Sequence, residues 1–318
     1  MRNSFGIIVS LALAAVANAQ HPLRHPTDAI EMRFARSQPV VNYVLHVDSS
    51  ELTGWSVEMH IRNVPDSFQL AMARHPEYDD RYWRYVEGLS VTGNAGAPRI
   101  ARADSALWTV RASGGSVVIR YRILLPPSEG ATRASWRPFL SSTGGLTGGP
   151  HAFMYVVGAE LAPSHVKVEL PTGWKIATAL PPTSDPSVFF APSVDVLVDS
   201  PLFVGHFHDW RYSVDGVPHR VVYWSSPTGS QFDTVAFVSS LEKLSREAVA
   251  LFGRAPYRDY TFIFQDAAYG GLEHASSVTL GARARSWRAI PMRSSGTRHT
   301  STCTPGISCA FVRWNTRA

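Results

Sequence analysis

Tyr269-Gly270-Gly271-Leu272-Glu273-His274-Ala275-Ser276-Ser277-Val278-Thr279-Leu280 is the stretch on which the reading of this chain turns. Two glycines end a loop, and an acid and a histidine then sit at the start of a short β-like run. Just upstream, Tyr260-Thr261-Phe262-Ile263-Phe264 is an apolar, β-rich run of the kind a buried strand shows. Before that, Phe232, Val235, Val238, Leu241, Leu244, Ala248 and Leu251 recur every three or four residues and make one apolar stripe. They predict a helix over 230–252, with Ser230 and Asp233 as a capping pair and Gly253 and Pro256 as the stop. Strand-like runs at 202–210 and 220–224 precede it. The order strand, helix, strand, loop, Gly-Gly-Leu-Glu-His implies an α/β element around a mixed sheet.

Toward the N-terminus the pattern changes to strand after strand. Trp55 to Arg62 alternates apolar and polar residues, as do the second half of Val117 to Ile123 and the run from Val166 to Leu170. Gly114-Gly115, Pro126-Pro127-Ser128, Gly144 to Pro150 and Pro181-Pro182 read as the breaks between them. From residue 39 to about 180 this predicts a largely antiparallel, sandwich-like β domain. Residues 183–201 read as a connecting segment. His206 and His208 would share one face of a strand, a spacing compatible with a metal pair, although two histidines two apart in a β-run are more often ordinary surface or packed residues.

The termini carry signals of another kind. Arg2, the uncharged apolar run Phe5 to Val16 and Ala17-Asn18-Ala19 have the form of an export signal cleaved near Ala19. The apolar run is shorter than the roughly 20 residues that span a bilayer, so the expectation is an exported, periplasmic or secreted protein with no membrane span. Only Cys303 and Cys309 could form a disulfide, so the core before residue 300 is not held by one. The net charge of +5 is uneven: residues 274–318 hold seven arginines and no Asp, Glu or Lys, which leaves the rest of the chain near −2 (5 − 7). A basic tail without an organised basic face argues against a nucleic-acid partner.

The run Tyr260 to Phe264, the short loop, Gly270-Gly271-Leu272-Glu273-His274, Ser276 and Leu280 together resemble the glycyl aminopeptidase family of zinc metallopeptidases. Trp174 to Leu180 and Leu197-Val198-Asp199-Ser200-Pro201 are similar to segments that precede the catalytic domain there. The resemblance runs from about residue 40 to 280 and is weaker in its N-terminal half. It implies an α+β chain: an N-terminal antiparallel β-sandwich-like domain over 20–200, after a signal peptide at 1–19, then an incomplete thermolysin-like α/β catalytic domain from 201 to 282. It also implies a peptide laid against a strand edge as an added strand. Glu273 would bind the substrate N-terminus, Gly270 and Gly271 would allow close backbone approach, and His274 would orient that acid or line the pocket. Read from the five residues alone, a Gly-Gly turn before a strand with an exposed Glu-His pair remains open.

Zinc in that family is held by His-Glu-x-x-His on a helix soon after this strand, with a further Glu downstream. Here only His299 follows His274, and it is trailed by Thr300-Ser301. No catalytic and no metal-ligating residue is therefore expected in this chain, nor zinc bound to it. A shifted reading frame would account for the change. Taking the third base of each codon with the next two permits Ala-His-Glu-Tyr-Leu-His-Thr-Trp-Asn from Arg298 onward. Residues 283–318 then become a frame-shifted, disordered basic tail, the other reading being a tail that belongs to the protein. The expectation is a zinc metallopeptidase by lineage, inactive as given. The alternative is a peptide-binding β module without catalysis.

Overall fold

A computed structural model describes residues 38–73, 81–127, 132–225 and 232–282. Residues 1–19, read above as an export signal, the cysteines, His299 and residues 283–318 lie outside these residues. In chain order the strands are β1 (Val40–His46), β2 (Gly54–Arg62), β3 (Ser67–Met72), β4 (Val86–Asp104), β5 (Leu107–Leu124), β6 (Arg133–Ala134), β7 (Phe139–Leu140), β8 (Gly144–Thr147), β9 (Met154–Val156) and β10 (Ser164–Glu169). There follow β11 (Lys175–Thr178), β12 (Val188–Ala191), β13 (Leu202–Gly205), β14 (His208–Val214), β15 (Val217–Trp224), β16 (Tyr260–Asp266), β17 (Ala268–Tyr269), β18 (Gly271–Glu273) and β19 (Ser277–Ala282). Among the described residues three α-helices are interleaved: α1 (Gly149–Ala152), α2 (Val194–Asp199) and α3 (Thr234–Phe252).

The first layer is an eight-stranded sheet in the order β12-β10-β1-β2-β5-β3-β9, with β4 also paired to β5. Its alternation is what the sequence predicts: Trp55, Val57, Met59 and Ile61 are buried along β2, and Ser164, Val166 and Val168 along β10. The sheet is not wholly antiparallel, because β1 and β10 run parallel. Beside it lies a four-stranded sheet, β11-β13-β8-β7. One core joins the two: Leu202 and Val204 of β13 and Leu140 of β7 pack with Trp55, Met59 and Ile119. This fits an N-terminal β domain.

Phe203 points the other way from its neighbours on β13, into a second cluster with Val222, Trp224 and Ile263. Those residues belong to the third layer, a five-stranded sheet ordered β14-β15-β16-β19-β18. Here β15, β16 and β19 are parallel, while β14 and β18 are antiparallel at the two edges. The mixed sheet expected around the helix is thus present. Its far face, with Val221, Tyr223, Phe262 and Phe264, packs against Phe237 and Leu241 of α3. Covered on both sides, β16 is buried at every residue, which is why it reads as a continuous apolar run rather than an alternating one. Burial of one such side chain contributes about 1.5–3 kcal/mol.

Several expectations are corrected. Gly114-Gly115 does not end a strand; both glycines take positive φ inside β5 where β4 shifts register against it. Gly144-Gly145 is itself strand, because a Cβ on Gly145 would lie 2.7 Å from Leu140 Cδ1 and 2.8 Å from the Phe139 carbonyl oxygen, so only glycine lets β7 and β8 approach. Residues 183–201 are more than a connection: β12 pairs with β10, and α2 follows. Helix α3 begins at Thr234, with the Asp233 carboxylate accepting from the Ala236 N–H at 2.9 Å and Gly253 closing it at φ 80°; Ser230 lies outside the described residues. The run 202–210 is broken after Gly205. His206 packs on Trp174 and His208 on Trp210.

Candidate functional site

The Gly-Gly-Leu-Glu-His segment folds into the free edge of the five-stranded sheet. Gly270 has φ +71°, and a Cβ there would come within 2.8 Å of the Trp136 ring, so glycine is required on two counts. Behind the edge runs Arg133 to Trp136. The Ser135 N–H donates to the Tyr269 carbonyl, and its hydroxyl lies 3.2 Å and 3.1 Å from the carbonyl oxygens of Gly270 and Thr279. Gln265 Nε2 in turn donates to the Ser135 carbonyl at 2.7 Å. A second close approach sits at Gly281, where a Cβ would be 2.4 Å from backbone atoms of Ala268 and Tyr269.

Register decides which backbone groups of β18 are free. The Gly281 N–H donates to the Gly270 carbonyl and the His274 N–H to the Ser277 carbonyl, both at 2.8 Å. In an antiparallel pair inward and outward groups alternate, so Leu272, opposite Thr279, also faces β19. The N–H and C=O groups of Gly271 and Glu273 then face away from the sheet. Among the described residues no strand pairs with that side. Glu273 ends the edge strand rather than opening a longer run, and the chain turns back through His274-Ala275-Ser276 into β19.

The side chains of this hairpin separate two hollows. On the face of Leu272 and Thr279 lies a cavity of about 200 Å³, with Tyr82, Trp136, Leu146, His151 and Asp199 among its walls. On the face of Val278 and Leu280, a groove of about 60 Å³ runs under α3. Glu273 borders both. The turn is pinned from α2: Asp199 accepts from the Ala275 N–H at 2.8 Å and from His274 Nδ1 at 3.3 Å. His274 thus lines the cavity with Glu273, and its ring is held by Asp199.

At the back of the cavity, His151 is 1% exposed. Its Nε2–H donates to the Leu124 carbonyl at 3.2 Å and its Nδ1 accepts from the Thr147 hydroxyl at 2.8 Å. Burial pushes its pKa down to about 4, against a small upward pull from the Leu124 carbonyl. Tyr260, in the groove, has its phenol held well above the ordinary value, first by burial and then by Tyr257, with the Glu273 carboxylate adding to it.

Glu273, Gly270, Gly271 and His274 are therefore brought together as one edge. Sequence reasoning missed Asp199, Trp136, His151 and Thr279 as its neighbours. Asp199 belongs to a segment singled out for family likeness, but nothing in its local pattern signals a contact with a turn far along the chain. Among the described residues no group of three or more His, Cys, Asp or Glu side chains could hold a metal ion. The described residues thus offer no ligand set for zinc. Among them, too, no helix is long and apolar enough to cross a membrane.

The family model of the Peptidase M61 N-terminal domain matches residues 42–206. No curated protein matches the chain. Among solved structures, an aminopeptidase N family protein from Idiomarina loihiensis aligns with TM-score 0.70 and 20% identity, over 81% of this chain and 44% of its own. That likeness shows the fold. An M1 zinc metallopeptidase from Deinococcus radiodurans, bound to a Tyr-Ser-Ala substrate, aligns with TM-score 0.46 and 16% identity over 79% of this chain and 62% of its own. Yeast LTA4 hydrolase in complex with bestatin aligns with TM-score 0.45 and 10% identity, over 79% and 41%. The chain spans less than two thirds of the length of each.

Proposed function

The chain belongs to the family of the Peptidase M61 N-terminal domain, and on that premise we propose that it binds peptides by their free N-terminus at the β18 edge. The observation that carries this reading is the outward set of backbone groups at Gly271 and Glu273, with the Glu273 carboxylate between two hollows. A peptide adds to the edge as a further strand. Its α-ammonium is held by Glu273, and the lack of side chains at Gly270 and Gly271 leaves the backbone accessible. The turn carrying His274 is fixed by Asp199, which sets where the acid stands.

By the resemblance of Gly270 to His274, such an edge would serve aminopeptidase-type hydrolysis in a zinc-bearing relative. We propose that residues 20–200 are the N-terminal β domain, that 201–282 begin a thermolysin-like catalytic domain, and that the chain is exported after cleavage near Ala19. The sequence after His274 holds one histidine, His299, so it contains no His-Glu-x-x-His. We propose that the residues given, a zinc metallopeptidase by lineage, hold peptide without zinc-dependent hydrolysis; the alternative is a peptide-binding β module.

Isothermal titration with Ala-Ala-Ala and its N-acetylated form tests the reading. Acetylation, or Glu273→Ala, should weaken binding by about 10-fold or more, the loss of one charge-assisted hydrogen bond. Equal binding of the free and acetylated peptides would falsify it.

A further inference from the structure

We propose that Ser135, in the segment between β6 and β7, is a positioning residue that presets the Gly271 half of the peptide-binding edge, while Asp199 presets the Glu273 half. The inference rests on the β18 edge being the peptide site. That strand is three residues long, and two glycines stand at its start. Glycine gives up more conformational freedom on ordering than any other residue, so such an edge is costly to hold in one shape. An edge held ready before the peptide arrives binds more tightly than one ordered on binding.

Ser135 is fully buried and meets the hairpin at three backbone carbonyls. Its N–H donates to Tyr269 at 2.9 Å, and its one hydroxyl proton is shared between Gly270 at 3.2 Å and Thr279 at 3.1 Å. The hydroxyl therefore ties the corner where β18 begins to the β19 residue opposite Leu272. Ser135 is itself held from two sides. Arg133 and Ala134 pair in parallel with Ala268 and Tyr269, and the buried Gln265 of β16 donates Nε2 to the Ser135 carbonyl at 2.7 Å. At the far end Asp199 accepts from the Ala275 N–H and from His274. The two clamps thus stand at opposite ends of β18, and slack at each has its own consequence. Slack at Gly270 misplaces backbone groups that an added strand pairs with. Slack at Ala275 misplaces the Glu273 carboxylate, which holds the amine.

Titration of the full chain with Ala-Ala-Ala and with alaninamide, which carries the amine but almost no strand, separates the two halves. Ser135→Ala should weaken Ala-Ala-Ala about 5-fold, the net worth of one neutral hydrogen bond, and leave alaninamide nearly unchanged. Asp199→Ala should weaken both ligands. In Ser135→Ala the Gly281 amide, which donates to the Gly270 carbonyl, should also exchange its hydrogen faster, with the Phe262 and Phe264 amides of β16 unchanged. Should Ser135→Ala not fold, Gln265→Met removes the donor to the Ser135 carbonyl and should show the same split between the two ligands. Wild-type affinity for Ala-Ala-Ala in the variant, or an equal loss for alaninamide, overturns the role of Ser135 and leaves the amine site standing. Wild-type chain that binds Ala-Ala-Ala and its N-acetylated form equally, or binds neither, overturns the edge site and this role with it.

Discussion

The five-stranded sheet has two edges, and they differ in kind. At one end β14 is seven residues long and carries Asp209, Trp210, Arg211 and Tyr212 in succession. Asp209 is tied to Arg220 of β15 at 2.6 Å, and the ring of Trp210 packs on His208 and Phe237. Charges and bulky rings are how sheets discourage a further strand. At the other end β18 is three residues, follows a glycine and begins with another, and offers bare backbone beside one acid. The same sheet thus has one edge guarded by side chains and one of nearly bare backbone, the edge proposed to take a peptide.

The most drastic way to break this contrast is Gly281→Ala. The new methyl would collide with the backbone of Ala268 and Tyr269 at 2.4 Å, where no side chain can swing aside. Overpacking of this severity should cost about 3 kcal/mol or more, read as a loss of several degrees in the thermal midpoint. A wild-type midpoint would mean that β17 does not cross β19 so closely.

Acid should act next. His151 is buried and neutral with its pKa down to about 4, and burial also lowers that of His219. Both folded values lie below the unfolded value of about 6.5. Below that pH the unfolded chain takes up protons that the folded chain refuses. The stability that neutral His151 contributes is therefore present above pH 6.5 and is lost as pH falls toward 4, and His219 acts in the same direction. For His151 this is about 3 kcal/mol. In His151→Gln the slope of stability against pH between 6.5 and 4 should flatten; an unchanged slope refutes the assignment.

A smaller effect sharpens the receptive edge itself. Asp199→Ala removes the acceptor of the Ala275 N–H and of His274 Nδ1. With Asp199 partly exposed, the expected loss of stability is about 1 kcal/mol, with weaker peptide binding because Glu273 is held less firmly. Full binding would show that the turn keeps its shape without α2. Smallest of all, Arg211→Ala on the guarded edge should leave peptide affinity unchanged, and a marked loss there would place the site on β14.

Much of this arrangement was legible in the sequence, for definite reasons. Strand alternation at Trp55 to Arg62 and Val166 to Val168 follows from one buried face. The stripe of α3 follows from packing on one side only, although Val235 and Leu251 of that stripe remain exposed. The order of elements around Gly270 to His274 was readable because each is local. What escaped depends on contacts distant in sequence. Gly144-Gly145 looks like a break until Leu140, Trp55 and Trp224 are known to press on it. Asp199, Trp136 and His151 join the site only because the layers stack. The strand run through His206 and His208 failed at Gly205, whose φ of 131° ends β13.

The most direct test follows backbone amides of isotopically labelled chain by NMR during titration with Leu-Ala-Ala. The account predicts shifts centred on Gly271, Leu272 and Glu273, with His208 to Val214 unmoved, and their disappearance when the peptide is N-acetylated. Shifts centred on β14, or identical shifts from the acetylated peptide, would contradict it.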